Sequence, residues 1–273
     1  MSTETSLTIV AICKNEEQDL PGFLANTVPL ADEVIIIDDL STDSTAQIAA
    51  NAGDKVKFIV SAMDKEKGFA GQRNLGLDAA TSDWVLNMDI DERIPSNLYK
   101  EIKEAISNTS KNAFRYYRAN LFLHRVMKGG GWTSWNQPQL ARRGSHVYVN
   151  AIHERCKVDG EPASVGQLKN KMWHLNDADY SERLRKSTQY CEIEAKLIVD
   201  QGKKVSAIDI FVKPFIEFIK KYIYKQGFKD GVPGLISAMH AATSIFRIYA
   251  LVWDQQNSIP RTEIEKDLNR DHK

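Results

Sequence analysis

The chain of 273 residues is long enough for one large domain or for a domain with an appendage. Hydrophobic residues make up 42% and charged residues 26%, as in ordinary soluble globular proteins, and the formal net charge of +0 provides no global field that would attract nucleic acid. The three cysteines lie far apart without a Cys-x-x-Cys pair, which argues against a disulfide framework or a zinc site and fits a reducing compartment. We expect neither a signal peptide nor a stretch approaching the ~20 apolar residues of a membrane span.

The first half of the sequence alternates apolar runs with segments of helical periodicity. Strands are predicted at residues 7–12, 34–37, 56–60 and 84–86, and a helix is predicted after each of the first three. Such strand–helix–strand units imply a parallel sheet with right-handed crossovers. We therefore predict an α/β fold in which helices flank a mostly parallel sheet.

Polar side chains follow the ends of three of these strands: Asn15 and Glu16, Asp38 and Asp39, and Asp89 and Asp91. Ligands of open parallel sheets bind beyond the carboxyl ends of the strands, so these clusters predict a binding edge. The sequence has no Gly-x-Gly-x-x-Gly after the first strand and no P-loop motif. A nucleotide held at this edge must therefore be bound through side chains and a metal ion.

Asp89 and Asp91 are the candidate metal ligands. In an extended chain, residues two apart point to the same side and lie about 6–7 Å apart, which suits one hard cation such as Mg²⁺ or Mn²⁺. Two alternatives stay open from the residues alone. Asp-x-Asp is also common in turns, and Asp38 with Asp39 also fits a helix-cap pair.

Two loops carry further local predictions. Asn15 is predicted to cap a helix that runs to about Leu30. Three glycines at residues 129–131 predict a flexible hinge, and Trp132 and Trp135 beside it could stack on an acceptor sugar when the loop closes. The alternative is that both tryptophans pack in a core.

Four motifs give the sequence a specific resemblance: they occupy residues 10–16, 37–43, 71–74 and 88–92. In content and interval they resemble glycosyltransferase family 2, whose members are inverting enzymes of the GT-A fold with nucleotide-sugar donors. The resemblance covers roughly residues 1–155. Within the family, the chain is most similar to bacterial lipopolysaccharide-core glucosyltransferases of the WaaE type, which share Asp-Asp-Leu-Ser in place of the usual Asp-Asp-Gly-Ser.

The resemblance implies roles in binding the nucleotide. Ala11 and the backbone near it would line the uracil, and Asn15 and Glu16 would follow on the donor side. Asp39 would accept the uracil N3–H, and Arg73 would lie near the base or the diphosphate. A buried carboxylate rejects a base that lacks the N–H donor, because the carboxylate would be left unpaired. On its own, an arginine on a helix is more often on a solvated face.

The resemblance also implies the diphosphate and metal contacts. Asp89 would contact the ribose or the metal ion, and Asp91 would bind the metal. His174 would reach the metal or the diphosphate, with a buried structural histidine as the alternative. Arg183 and Lys186, on the helix that follows, are candidate diphosphate contacts. A divalent ion would neutralise the charge that builds on the departing diphosphate.

In the resembling subgroup, a His-Glu pair at residues 153–154 supplies the general base. Inversion needs a group that removes the proton of the acceptor hydroxyl on the side opposite the leaving group. Glu154 is the candidate for this role. His153 would orient Glu154 or only pack, and it is counted with the donor-binding residues.

The domain organisation follows from these assignments: a GT-A catalytic domain at 1–178, with a nucleotide-sugar half at 1–95 and an acceptor half at 96–178, a helical region at 179–257 and a flexible tail at 258–273. Pro214 would kink a predicted helix over 208–228 or mark its first turn. This helix carries aromatic and basic side chains. Three possibilities stay open: the C-terminal helices pack internally, lie on an anionic bilayer surface, or form a homodimer contact.

These inferences predict a cytoplasmic, metal-dependent UDP-sugar hexosyltransferase, with Mg²⁺ or Mn²⁺ as cofactor and a possible place on the inner membrane surface. It would move a hexose, glucose first among the candidates, to a glycan or glycolipid acceptor in lipopolysaccharide-core or other surface-glycan synthesis. One rival is a metal-dependent sugar nucleotidyltransferase, which normally has a Gly-rich basic loop after the first strand. Another is a catalytically silent nucleotide-sugar-binding or scaffold protein, against which the intact acidic residues argue.

Overall fold

The computed structural model describes residues 5–151 and 154–270, with side chains described as far as Leu268. The chain forms two compact units. The first comprises Met1–Leu121 and Thr133–Asn176, and the second comprises Phe122–Trp132 and Asp177–Lys273. The glycine-rich loop therefore belongs to the second unit, and the domain boundaries given above stay a prediction.

The strands, in chain order, are β1 (Leu7–Cys13), β2 (Glu33–Asp38), β3 (Val56–Val60), β4 (Trp84–Asp89), β5 (Glu92–Arg93), β6 (Ala113–Phe122), β7 (Arg125–Val126), β8 (Asn136–Arg142), β9 (His146–Val149), β10 (Arg155–Val158), β11 (Val165–Gln167) and β12 (Met172–His174). The central sheet has the order β3-β2-β1-β4-β8-β6-β12-β5, and β9 and β10 form a separate hairpin. Its first four strands are mutually parallel, and β6 is parallel to β11 and β12. The predicted α/β fold with a mostly parallel sheet is confirmed.

The helices are α1 (Leu20–Thr27), α2 (Thr45–Ala50), α3 (Gly68–Ala79), α4 (Ser96–Ser107), α5 (Tyr180–Asp200), α6 (Ala207–Ile219), α7 (Gly231–Asn257) and α8 (Arg261–Arg270). A π-helical turn (Lys220–Tyr224) and a 3₁₀ turn (Gly227–Asp230) connect α6 to α7. The helices α1 to α4 belong to the first unit and α5 to α8 to the second. The C-terminal helical region that was predicted is thus present.

Apolar residues cover both faces of the sheet, as continuous hydrophobic strands require. Ile9 of β1 packs on one face with Phe23 of α1 and Leu98 of α4. Its neighbour Val10 packs on the other face with Leu77 of α3. Because successive strand residues point to opposite faces, one run of apolar residues serves both layers of helices.

The strand register sets the position of the acidic clusters. Cys13 of β1 pairs with Asp38 of β2, and Ile12 pairs with Asp89 of β4. The parallel strands therefore end at one edge, with Asp39 and Asp89 on either side of β1. Two strand spacings separate their backbones by about 10 Å.

The prediction that Asn15 caps α1 is wrong. The helix begins at Leu20 with Asp19 as its N-cap residue. Asn15 has a φ of 56°, and its side-chain oxygen accepts a hydrogen bond from the Thr42 N–H at 2.8 Å. Asparagine tolerates this left-handed conformation. Asn15 therefore connects the loop after β1 to the loop after β2 and does not start the helix.

The glycine-rich segment forms backbone hydrogen bonds within the second unit, and its function as a flexible hinge stays a prediction. The Gly129 N–H donates to Asp230 at 2.8 Å, and the Gly130 N–H donates to the Lys225 carbonyl oxygen at 2.7 Å. A Cβ on Gly129 would lie 2.1 Å from the carbonyl oxygen of Gln226. The glycine here permits a close approach of two backbones.

Three further outcomes concern the second unit. Pro214 lies inside α6, and Ser206 caps this helix in a capping box with Asp209, so the alternative that Pro214 marks the first turn is wrong. By length and composition alone, the helical stretch Gly227–Asn257 contains an 18-residue window apolar enough to cross a membrane, with a mean hydropathy of 1.4 and 22% of the window buried, although no such stretch was expected; core helices of soluble proteins can have the same length and composition. The segment predicted to be a flexible tail contains α8, whose described side chains are all exposed.

Gly68 and Gly53 provide a matched test of how tightly α3 approaches the loop before Glu154. Gly68 has a φ of 54°, and a Cβ there would lie 2.1 Å from the Ala151 carbonyl oxygen, whereas Gly53 has a φ of 94° with nothing within 4 Å. We expect Gly53→Ala to lower the free energy of unfolding by about 1 kcal/mol through backbone strain. We expect Gly68→Ala to cost about 1–3 kcal/mol more, because the loop must move. Urea denaturation measures both, and equal losses would contradict this account.

Candidate active site

The two carboxylates at the end of β2 have different surroundings. Asp38 is 2% exposed and accepts hydrogen bonds from the backbone N–H and hydroxyl of Ser41. Asp39 accepts from Lys14 Nζ at 2.8 Å and from a backbone N–H after β3 at 2.7 Å, and these bonds lower its pKa. The N-cap residue of α2 is Ser44, so the helix-cap alternative is wrong. Asp39 is the member of the pair that a ligand can reach.

The other residues predicted to bind the donor lie on and just after β1. Ala11 is fully buried in the middle of the strand, so only the backbone that follows it can reach the edge. The side-chain oxygen of Asn15 accepts a hydrogen bond from the Thr42 N–H, as described above, and the Glu16 N–H donates to Thr45 Oγ1 at 2.8 Å. These bonds join the loop after β1 to the loop after β2, and so fix the shape of this edge.

Asp89 lies between two arginines. Its Oδ1 is 2.6 Å from Arg73 Nη2, and its Oδ2 is 2.6 Å from Arg118 Nη2. Burial would raise the pKa of Asp89, but the charges of Arg73 and Arg118 outweigh it and hold the pKa far below its usual range. The two oxygens keep free lone pairs, because a carboxylate can accept about four hydrogen bonds.

Asp91 and His174 face each other beside this cluster. Asp91 lies in the turn between β4 and β5, and its Oδ2 is 3.0 Å from His174 Nε2. His174 Nδ1 is 2.6 Å from Asn120 Oδ1, and an amide oxygen can only accept, so Nδ1 carries a proton. Burial would lower the pKa of His174, but the hydrogen bond and charge of Asp91 raise it.

Asp89, Asp91 and His174 together fit a cation. Their ligand atoms all lie within 4.8 Å of one another. With Nδ1 protonated, Nε2 presents either a second proton or a lone pair to Asp91, and a cation can take the place of that second proton. Two oxygen ligands and one imidazole suit Mn²⁺, and the oxygens suit Mg²⁺. Asp89 already forms ion pairs with two arginines, so Asp91 and His174 are more available as metal ligands than Asp89 is.

Arg73 connects this cluster to Glu154. Arg73 is 6% exposed, its Cζ lies 5.6 Å from the centroid of the Tyr148 ring, and its Nε is 3.3 Å from Glu154 Oε1. The solvated-face alternative for Arg73 is therefore wrong. Glu154 itself is 23% exposed, so water or a substrate can reach its carboxylate. His153 lies outside the residues that the structure describes.

Sequence reasoning missed Arg118 and Glu92. Glu92 is fully buried, with its Oε1 2.6 Å from Arg118 Nε, and its Oε2 accepts the Asp89 N–H at 2.9 Å. Burial raises the pKa of Glu92, with the charge of Asp89 acting in the same direction and Arg118 against it. The Arg118 guanidinium also lies 3.8 Å from the centroid of the Trp135 ring. The sequence does contain a signal for Arg118: it lies two residues after Tyr116 on a predicted strand, so it shares a strand face with this buried aromatic residue.

The model of the family "Glycosyl transferase family 2" matches residues 8–153, which is more than half of the chain and spans the whole acidic edge. The chain belongs to glycosyltransferase family 2.

Relatives of this family 2 glycosyltransferase extend over nearly all of it. A lipopolysaccharide core biosynthesis glycosyltransferase of Rhizobium meliloti is 25% identical, covering 98% of this chain and 100% of the relative. An uncharacterised glycosyltransferase of Rickettsia typhi is 26% identical, covering 86% of this chain and 82% of its own. Among solved structures, S. aureus TarS 1–349 with UDP-GlcNAc is 15% identical, with a TM-score of 0.48 and 92% coverage of both chains.

The remaining predicted site residues of the glycosyltransferase are engaged in local contacts. Trp135 packs in the first unit against Tyr116, with ring centroids 5.7 Å apart. In the second unit, Trp132 Nε1 donates to Ser237 Oγ at 2.9 Å. In the same unit, Arg183 pairs with Asp177 at 3.0 Å, and Lys186 pairs with Glu182 at 2.8 Å and lies 3.7 Å from Asp177. Acceptor and diphosphate contacts for these residues remain predictions.

The pair of Arg118 and Glu92 can be tested by stability. Arg118→Met leaves Glu92 buried without its cation, and we expect it to lower the free energy of unfolding by about 3–5 kcal/mol. Arg118→Met combined with Glu92→Gln should recover part of this loss, because no uncompensated charge remains. The control is Arg115→Met on the same strand, which removes a half-exposed pair with Glu161 and should cost about 1 kcal/mol or less. Additive losses in urea denaturation would contradict the pairing.

Proposed function

We propose that this family 2 glycosyltransferase moves a hexose, glucose first among the candidates, from a UDP-sugar to a saccharide acceptor with inversion at the anomeric carbon. The observation that carries the proposal is the double contact of Arg73. It touches Asp89, at the edge suited to a diphosphate, and Glu154, the candidate base. A reaction that transfers a sugar from a nucleoside diphosphate to a hydroxyl needs a diphosphate site and a base side by side.

Asp39 would select the nucleotide. One of its oxygens would accept the uracil N3–H while keeping the present bonds to Lys14 and to the backbone. The lowered pKa of Asp39 keeps it ionised and accepting near neutral pH. A base without an N–H donor at this position would lack this hydrogen bond and should therefore bind more weakly than uracil.

Asp91 and His174 would hold Mg²⁺ or Mn²⁺, with Asp89 as a further oxygen ligand, and the ion would stabilise charge on the departing diphosphate. Arg73 and Arg118 hold Asp89 from both sides and so fix the position of β4's end. Asn120 would fix the ring of His174 through Nδ1. The accurate placement of metal ligands depends on supporting ion pairs and hydrogen bonds of this kind.

Glu154 would accept the proton of the acceptor hydroxyl. As that oxygen forms its bond to the anomeric carbon, the bond to the diphosphate oxygen breaks on the opposite side, and UDP leaves with the electron pair. Arg73 would orient the carboxylate of Glu154 through Nε. One displacement of this kind inverts the anomeric centre, so no covalent glycosyl-enzyme is required.

The acceptor class is proposed from the relative. The Rhizobium meliloti protein is named for lipopolysaccharide core biosynthesis and aligns over its full length, so a core oligosaccharide or another surface glycan is the proposed acceptor. We also propose a cytoplasmic place of action. The three cysteines are free and buried, as expected in a reducing compartment.

Glu154→Gln tests the base. The amide cannot take a proton, so we expect transfer to fall by about 10²–10⁴-fold while UDP affinity changes little. Transfer from UDP-glucose and isothermal titration of UDP measure the two quantities. The control is Glu104→Gln, an exposed carboxylate on α4, which should leave both unchanged. Full transfer activity in Glu154→Gln would remove this residue from the role.

Asp91→Ala tests the metal site. Without this carboxylate, UDP should bind about equally with and without Mn²⁺, whereas in the unaltered protein Mn²⁺ should strengthen UDP binding. Titration calorimetry of UDP with Mn²⁺ or with a chelator gives the comparison, and Asp54→Ala, at an exposed turn before β3, is the control. A Mn²⁺ effect that survives in Asp91→Ala would contradict the assignment.

A further inference from the structure

The turn between β4 and β5 carries Asp91, and Arg93 binds the backbone on either side of it. Arg93 Nη1 donates to the carbonyl oxygens of Ile90 and Glu92, both at 2.7 Å. One guanidinium nitrogen therefore joins the residues before and after Asp91. The planar fork of arginine has a fixed geometry that the flexible ammonium group of lysine lacks, so this contact holds the backbone closely.

The second terminal nitrogen of the same guanidinium reaches α1. Arg93 Nη2 donates to the carbonyl oxygen of Asp19, the N-cap residue of α1, at 3.0 Å and lies 3.9 Å from the Asp19 carboxylate. Asn26 of the same helix binds the next residue of the chain, since it accepts the Ile94 N–H at 2.7 Å and donates to the Ile94 carbonyl oxygen at 3.0 Å. The helix α1 thus holds the chain that follows the turn at two points.

Gly22 of α1 provides the space for the guanidinium. A Cβ at this position would lie 2.7 Å from Arg93 Nη2 and 3.4 Å from both Cζ and Nε of Arg93, and these are its three nearest atoms. Glycine is less favourable than alanine in a helix, so the helix itself gains nothing from it. Alanine at this position would press against the end of the Arg93 side chain.

Two of the candidate metal ligands depend on where this turn lies. The Asp91 carboxylate has one ion pair in the described part of the chain, with His174 Nε2 at 3.0 Å, and the Asp91 carbonyl oxygen accepts the Leu175 N–H at 2.9 Å. Glu92 of β5 pairs with His174 of β12. A shift of the turn would therefore move Asp91 directly and His174 through β5.

Apolar burial alone does not supply this placement. Ile90 and Ile94 are each 3% exposed and belong to the same apolar cluster as Phe23 of α1, so they attach the segment to the fold. The side chain of Asp91, between them, is 23% exposed. Apolar contacts do not fix the orientation of a partly exposed turn, whereas directional hydrogen bonds do.

We propose that Arg93, in the space left by Gly22, is a positioning residue for the metal site. It holds the backbone of the turn in the conformation in which Asp91 and His174 reach one cation. Removal of groups that orient metal ligands in this way commonly changes metal affinity by about 10–100-fold. This role rests on the proposed function, because it requires that Asp91 binds the metal ion.

The charge of Arg93 acts against a cation, so its contribution to the site is geometric. Arg93 is attracted to the negative charges of Asp19 and Asp91. A positive charge this close to a metal ligand repels a divalent ion. A lysine that keeps the charge but loses the fork separates the two effects.

Arg93→Lys in the full-length chain is the first test. Mn²⁺ binding without nucleotide is measured from the EPR signal of the free ion, and UDP binding in the presence of a chelator is measured by calorimetry. We expect Arg93→Lys to weaken Mn²⁺ binding by about tenfold, because the ammonium group cannot hold the same three carbonyls. UDP affinity in the chelator should be unchanged, since that affinity does not depend on the metal ion.

Gly22→Ala is an independent test that leaves Arg93 in the sequence. The added methyl group displaces the guanidinium, so we expect weaker Mn²⁺ binding, although alanine favours the helix and the Tm should not fall. In an Arg93→Met background the same substitution should have no further effect on Mn²⁺ binding. A purely structural role of Arg93 would not lower metal affinity in a chain of undiminished stability.

Arg142→Lys is the matched control. Arg142 also binds two backbone carbonyls, since its Nε donates to Lys111 at 3.0 Å and its Nη2 to Thr109 at 2.5 Å. It pairs with Trp84 at the start of β4, at the opposite end of the strand from Asp89. We expect Arg142→Lys to lower the Tm and to leave Mn²⁺ binding unchanged.

Three results would overturn this role of Arg93. If Asp91→Ala abolishes Mn²⁺ binding while Arg93→Lys and Gly22→Ala bind as the unaltered chain does, the metal site stands and Arg93 has no part in it. If Arg142→Lys weakens Mn²⁺ binding as much as Arg93→Lys does, the effect is a general loss of stability. If the unaltered chain does not bind Mn²⁺, or Asp91→Ala binds it equally well, the proposed metal site itself fails and the role of Arg93 fails with it.

Discussion

A buried guanidinium shared by two carboxylates is the interaction on which the candidate site depends. Arg73 of α3 reaches Asp89 at the end of β4 and Glu154 before β10. A buried charge without partners is strongly destabilising, so Arg73 requires both carboxylates near it once it is buried. The same contacts bring the carboxylate of Glu154 next to the sheet edge.

Neighbouring acidic residues in this protein have different partners. Asp38 holds the turn after β2 while Asp39 is accessible, and Asp89 is held by two arginines while Asp91 faces a histidine. In each pair, the second carboxylate is the one for which we propose a ligand: the uracil for Asp39 and the metal ion for Asp91.

The strands β1 to β4 could be predicted because buried parallel strands are continuous apolar runs, and the acidic edge follows from their shared direction. The juxtaposition of Asp89 and Asp91 was predicted from an extended chain, whereas Asp91 lies in a turn and meets His174 only because β12 pairs with β5. That pairing is long-range and leaves no local signal. Arg118 did leave one, since it shares the buried face of Phe114 and Tyr116, and a charge there requires a partner such as Glu92.

The π-helical turn after α6 has a consequence for the direction of the chain that follows it. Such a turn arises when one residue is added to an α-helix, and each added residue rotates everything beyond it by about 100°. Lys225 lies just beyond the turn, so its direction relative to α6 depends on a single extra position in the chain. Loss of one residue between Lys221 and Tyr224 would turn Lys225 away from Gly131, to which its ammonium group now lies close, while α6 and Lys221 keep their direction.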